Sequence, residues 1–419
     1  MLRSIEELKV SLLGSIGKKV RNTTKIETYV EVVFKQKKKS DQKNQARPDG
    51  LIVLGTGDRQ WRALIEAKTG NHKQTEEQLS KYFELAKSYD IDAVITISNQ
   101  YAAVPSHNLI KLPKNVTGKN VKQFHWSWAF IKTQFQLLNK NDGATDQDQK
   151  FILNEILEFL ESSKSGISHF EQMNSECKDF VNKAKTKSVL NKNSDEVINT
   201  VSAWHQEQKD LCLLLSRETE SNVVLKLKNS YRTDPEKRLK EDCEKFVRDY
   251  FLSCSITVQN AASDIEVECD LRGRIIRCSM KLIAPKDKKS SKARVNWLLR
   301  QLSRTPTDNF FINAIRPGKA ESTRSELAKL NEDSAFIESN VGNTTLTNLE
   351  VIYEIDLAGK FSGSQVFVKQ LESAVHHFYK EAGQRLKPWV PSPPKVSLEN
   401  EEYIESSKVG TKEEAKEES

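Results

Sequence analysis

Arg47-Pro48-Asp49-Gly50-Leu51-Ile52-Val53-Leu54, followed by Trp61-Arg62-Ala63-Leu64-Ile65-Glu66-Ala67-Lys68, is the stretch on which the reading of this chain turns. Two short runs rich in branched and aromatic residues are separated by Gly55-Thr56-Gly57-Asp58, a turn composition, so the segment predicts a β-hairpin. Side chains alternate along a strand, which places Glu66 and Lys68 on one face and Ala67 on the other. The hairpin therefore brings one carboxylate at the start of its first strand to a carboxylate and an ammonium at the end of its second.

That combination has a chemical meaning. A hard divalent cation takes oxygen ligands and keeps several waters, so one or two carboxylates on a rigid hairpin can hold Mg2+ or Mn2+ against a phosphate. Such an ion acidifies a water and stabilises charge on phosphoryl oxygens. A lysine beside it can orient or deprotonate the attacking water, or offset charge in the transition state.

Pro48-Asp49, then Glu66-Ala67-Lys68 one hairpin later, resembles the PD-(D/E)xK nuclease superfamily with its restriction-endonuclease-like fold. Gln78-Leu79-Ser80-Lys81-Tyr82 is similar to the Gln-x-x-x-Tyr element that follows the catalytic lysine in the RecB-like branch. The resemblance covers residues 1–138. It implies an α/β domain with a mixed sheet flanked by helices, and a Mg2+-dependent deoxyribonuclease. Asp49, Glu66, Lys68, Gln78 and Tyr82 would be its catalytic residues, and Asp49 and Glu66 its metal ligands. An acidic residue on an early helix often completes the family's metal site. Here Glu27 and Glu31 are the candidates, with Glu31 preferred. The alternative is an ordinary α/β domain in which Glu66 and Lys68 form a surface ion pair worth under about 1 kcal/mol.

The surrounding elements follow from periodicity. Ser4-Ile5-Glu6-Glu7 has capping-box spacing, and Ile5, Leu8, Leu12 and Leu13 give an apolar face to a first helix ending near Gly14. Ile26, Tyr29, Val30 and Val33 recur at helical spacing and predict a helix over residues 24–34, with Glu27 and Glu31 on its opposite face. Thr75-Glu76-Glu77-Gln78 is a second capping box, opening a helix to about Tyr89 whose stripe is Leu79, Tyr82, Phe83 and Ala86. Gln78 then has two readings, as a partner of the helix cap or as a group aimed with Tyr82 at the site. Asp92 to Ser98 predicts a strand parallel to its predecessor, because a helix intervenes. Trp126 and Trp128 are assigned to packing, and His107 to no role.

Length and composition bound the rest. A chain of 419 residues implies two or three domains, and 29% charged with 37% hydrophobic residues describes a soluble globular protein. No apolar run approaches the roughly 20 residues of a membrane span, and the acidic start lacks a signal-peptide core, so a cytoplasmic protein is expected. The six cysteines form no C-x-x-C pair and read as reduced, buried thiols rather than a zinc site. Residues 1–150 carry 25 Lys and Arg against 16 Asp and Glu, leaving 40 against 42 for the remainder. The basic excess thus belongs to the first third. Lys37, Lys38 and Lys39 lead into the Pro-Asp motif and read either as phosphate contacts to nucleic acid or as a solvated loop.

Residues 139–149 read as a linker, 150–221 as a helical region and 222–386 as an α+β domain. Residues 387–419 read as a disordered acidic tail with eight Glu against three Lys from Glu399 onward. In the α+β part, strands are predicted over 255–258, 265–271, 275–282 and 349–357, and helices over 291–302 and 363–382. Lys288, Lys289, Lys292 and Arg294 lie in a basic segment around Trp297 that reads as a nucleic-acid grip or as a solvated face over a core tryptophan. Three functions compete. One is a DNA-cleaving enzyme whose second half selects substrate or a protein partner, in a bacterial defence or repair setting. The others are a non-catalytic nucleic-acid-binding module and a protein-interaction adaptor.

Overall fold

A computed structural model describes residues 2–21, 24–34, 46–55, 60–72, 74–102, 104–107, 109–110, 112–117, 120–140, 147–186, 188–318, 320–337 and 345–391. The chain is mixed α/β, with two sheets and twelve α-helices among those residues. Lys37, Lys38, Lys39 and most of the acidic tail lie outside them.

The first sheet has the order β1-β2-β3-β4-β5: β1 (Ile26–Val30), β2 (Gly50–Leu54), β3 (Trp61–Ala67), β4 (Ala93–Ser98) and β5 (Lys122–Ser127). β1, β2 and β3 are antiparallel; β4 and β5 run parallel to β3. Alternation sends Ala63, Ile52 and Ile95 to one face, where they pack with Leu8 and Leu12 of α1 (Glu6–Ser15), Phe135 of α4 (Trp128–Lys140) and Leu157 of α5 (Gln147–Glu161). Leu64 and Val94 point to the other face, against Leu79, Tyr82 and Phe83 of α2 (Glu76–Ser88), with the short α3 (Lys114–Thr117) beside them.

Residues 24–34 correct the sequence expectation, because they form the edge strand β1 and not a helix. Ile26 to Val30 are β-branched or aromatic at four of five positions and pair in full register with β2, and this pairing outweighs a coincidental helical spacing. Tyr29, Val30 and Val33, the supposed inner stripe, are exposed. Gly50 permits the close approach of β1: a Cβ there would sit 3.2 Å from the Tyr29 carbonyl oxygen.

Residues 150–221 divide between two cores. Leu153, Leu157 and Leu160 of α5 are buried in the first. The loop after Lys68 is tied to the segment after α5 by Gly70 N–H donating to Gly166 O at 2.8 Å, and Gly166 takes a left-handed φ of +67°. A Cβ on Gly166 would lie 3.0 Å from Gly70 N, so glycine is needed on both counts.

The second core surrounds an antiparallel seven-stranded sheet in the order β11-β10-β12-β9-β8-β7-β6. Its strands are β6 (Val224–Leu225), β7 (Phe251–Thr257), β8 (Ile265–Asp270), β9 (Ile275–Ile283), β10 (Phe310–Ile315), β11 (Thr323–Glu326) and β12 (Asn348–Asp356). The helices of this half are α6 (Glu176–Lys185), α7 (Asp195–Thr219), α8 (Asn229–Thr233), α9 (Pro235–Asp249), α10 (Ser291–Gln301), α11 (Leu327–Glu332) and α12 (Ser364–Glu381). All six cysteines are free, and burial pushes the Cys177 and Cys212 thiols up to about 12. The long helix α7 joins the two cores: Leu213 packs on Tyr101 and Ala129, and Arg217 Nη1 donates to Thr133 Oγ1 at 3.3 Å. Among the described residues no helix is long and apolar enough to cross a membrane.

Candidate active site

The hairpin register sets the site. Gly50 pairs with Ile65, so one step further along the antiparallel pair Asp49 stands opposite Glu66. Asp49 is exposed, and its Oδ2 accepts the Ala67 N–H at 2.7 Å, which fixes the carboxylate against the end of β3.

Glu66 is 2% exposed, an unusual position for a carboxylate, and its burial is matched by donors. Oε1 accepts from Lys68 Nζ at 2.5 Å and from Gln78 Nε2 at 2.6 Å; Oε2 accepts from the Tyr82 hydroxyl at 2.6 Å. The Tyr82 oxygen also lies 3.1 Å from the Arg47 carbonyl and 3.3 Å from Gln78 Nε2. A hydroxyl has one proton, and the shorter contact gives it to the carboxylate. Burial and the neighbouring Glu66 push the Tyr82 hydroxyl far above its ordinary range, so it stays a donor.

The Gln78 backbone N–H donates to Thr75 Oγ1 at 3.2 Å, the threonine half of a capping box, while its side chain donates to Glu66 instead of turning back to the helix start. The structure thus brings Asp49, Glu66, Lys68, Gln78 and Tyr82 together. Glu31 is placed differently. It follows β1 with a left-handed φ of 49°, and its backbone N–H donates to Asp49 O at 3.0 Å. Its exposed carboxylate makes no hydrogen bond or ion pair with the other site residues, and the helix that was to present it does not exist. Glu27 is half-buried on β1 and paired with Lys25 at 2.8 Å.

Two residues that shape the site were not singled out by sequence. Trp128 donates Nε1–H to the Lys68 carbonyl at 2.8 Å, and Gln74, buried, donates to Ile97 O, which also accepts the Lys68 N–H. Lys68 is therefore held by its backbone on both sides while its ammonium, on a side chain 25% exposed, faces Glu66. Trp128 stood among the expected packing residues, and a tryptophan that is partly buried requires a partner for its N–H, which is the signal available. On the opposite sheet face an apolar cleft of about 310 Å3 opens beside Asp49, lined by Leu2, Thr28, Val30, Ala67 and Trp128.

The basic segment of the second half is divided in role. Lys289 and Lys292 are exposed, Lys292 lying 3.4 Å from Asp333, and Lys288 is 3.9 Å from Asp287. Arg294 is engaged internally, donating to the Lys288 and Leu346 carbonyls. Trp297 packs part-buried on the second core. His107 is buried against the Arg232 carbonyl at 3.2 Å.

No family model, curated protein or solved structure matches this chain.

Proposed function

We propose that the chain is a divalent-metal-dependent nuclease that hydrolyses phosphodiester bonds of DNA, with a restriction-endonuclease-like first domain. The observation that carries this is the buried Glu66 carboxylate at the end of β3, gripped by Lys68, Gln78 and Tyr82 and facing Asp49 across the hairpin. A five-stranded mixed sheet with helices on both faces is the scaffold that the reading requires.

The donor set suits Mg2+ or Mn2+. Asp49 Oδ1 makes no hydrogen bond among the described residues, and Glu66 Oε2 has one acceptor direction left after Tyr82. Two hard oxygen donors without nitrogen or sulfur are what such an ion takes when phosphate and water complete its shell. Asp49 and Glu66 would hold it, and it would supply Lewis-acid stabilisation of phosphoryl charge. Tyr82 and Gln78, each donating to it, hold the Glu66 carboxylate in one rotamer. Lys68, once its contact with Glu66 loosens, brings an ammonium to the attacking water or to the phosphoryl oxygens.

The test is a set of isosteric changes. Asp49→Asn, Glu66→Gln and Lys68→Met should each abolish metal-dependent cleavage with the circular dichroism spectrum unchanged. Their losses should not add, because the three act as one unit. Near-wild-type cutting by any one of them removes that residue from the site.

A further inference from the structure

A second acidic cluster lies far in sequence from the hairpin. Glu207 and Asp210 are three apart on α7 and so share a face; Glu372 reaches them from α12. One oxygen of each lies within 4.8 Å of the others. Glu207 is 0% exposed and Asp210 2% exposed.

Their partners differ in a telling way. Asp210 accepts from the Tyr101 hydroxyl and from Phe170 N–H, both at 3.0 Å, and each of its oxygens keeps a second acceptor direction. Glu207 has neither oxygen hydrogen-bonded. A fully buried carboxylate with no donor is the costliest polar group a core can hold, and the cluster places it beside two further carboxylates. Arg217 acts on Asp210 and Glu372, and Lys369 on Glu372, from a distance, and neither donates a hydrogen bond to Glu207.

We propose that Glu207, Asp210 and Glu372 form a structural site for one hard divalent cation of the Ca2+, Mg2+ or Mn2+ class. Three carboxylates with no imidazole or thiolate among them select an oxygen-seeking ion over zinc or iron. The ion would supply the partner that both Glu207 oxygens lack. Asp210 is bonded to Tyr101, which follows β4 of the first sheet, whereas Glu372 belongs to a helix of the second core. The site therefore lies where α7 joins the two halves, and its occupancy couples them.

The experiment uses the full chain carrying Asp49→Asn and Glu66→Gln, which silences the hairpin carboxylates. Tb3+ is titrated in, with tyrosine-sensitised emission as the readout, since Tyr101 donates directly to Asp210. Saturation at one ion per chain is expected, displaced by Ca2+ or Mn2+, together with a fall in melting temperature on chelation. Adding Glu207→Gln should weaken Tb3+ binding at least tenfold and make melting insensitive to chelator. Should Glu207→Gln fail to fold, Glu372→Gln at the more accessible edge serves instead, with the same tenfold loss expected. Emission that does not saturate, or one-to-one binding unaffected by either substitution, overturns the proposal. So does a chain whose melting ignores chelator and rises on Glu207→Gln, which identifies a cluster neutralised by protons.

Discussion

Tyr82→Phe removes one oxygen and leaves the ring in place. The hydroxyl is the donor to Glu66 Oε2, at 2.6 Å, inside a pocket where Glu66 is 2% exposed. A buried hydrogen bond to a charged group contributes roughly 1.5–3 kcal/mol, and the change leaves the carboxylate oxygen without a donor, so a loss of about 2 kcal/mol is expected. For a first unit of this size, that corresponds to about 4–8 °C in its unfolding transition. Glu66→Gln supplies the control. A neutral amide can turn its oxygen toward Lys68 and Gln78, and Tyr82 can then give its proton to the Arg47 carbonyl, 3.1 Å away. In that background the hydroxyl should be worth only about 1 kcal/mol. Urea unfolding of the four combinations, in the full chain and in residues 1–167, gives the coupling directly. A coupling of about 1 kcal/mol is expected. Equal costs of Tyr82→Phe in both backgrounds, within about 0.5 kcal/mol, would refute the argument that the hydroxyl acts through the Glu66 charge.

Three further outcomes follow from other parts of the molecule. His125 is 2% exposed, its Nε2 donating to Gln100 O at 2.8 Å, and burial lowers its pKa to about 4, so it is neutral when folded. The unfolded chain takes up that proton first, near pH 6.5, so stability should fall as pH drops from about 6.5 to about 4, by about 3 kcal/mol for this group. His125→Gln should flatten that slope in pH-dependent urea unfolding, and an unchanged slope contradicts the assignment. A fragment ending at residue 140 loses the buried Leu153, Leu157 and Leu160, at roughly 1.5–3 kcal/mol each, which rivals the stability of a whole domain. Residues 1–167 should be soluble and folded while 1–140 is not, and a cooperative melt of 1–140 would show that α5 is dispensable. If the second half grips duplex phosphates, glutamine at Lys288, Lys289 and Lys292 should lower the salt slope of DNA binding by about 0.9 per lost contact, whereas Arg294→Gln should lower melting temperature instead.

The hairpin and α2 were legible because each announces itself locally. Leu51 to Leu54 and Trp61 to Ala67 are bounded by turn residues, and Thr75 caps a clear apolar stripe. β1 was not legible, since an edge strand with neither face fully buried shows no period of two, and Ile26, Tyr29, Val30 and Val33 happen to fall at helical spacing. β10 hides its alternation of buried Phe310, Ile312 and Ala314 behind Phe311 and Ile315 on the other face. β11, Thr-Arg-Ser-Glu, has no apolar residue at all and owes its place to backbone pairing with β10. Asp49, Glu66 and Lys68 could be assembled from strand alternation because β2 and β3 are consecutive, whereas Gln78 and Tyr82 joined them only through the resemblance to the Gln-x-x-x-Tyr element. Glu207, Asp210 and Glu372 could not, because their meeting depends on α12 packing on α7 across some 160 residues of chain.

The central claim is that Asp49, Glu66 and Lys68 cut DNA with a divalent ion. Its most direct measurement is incubation of the purified full chain with supercoiled plasmid, linear duplex and single-stranded DNA, in Mg2+, in Mn2+ and in chelator, beside Lys68→Met. Cleavage of at least one substrate that requires the metal and vanishes in Lys68→Met is the result the account predicts. Absence of cleavage on all three substrates in both metals, or cleavage that persists undiminished in chelator or in Lys68→Met, would contradict it.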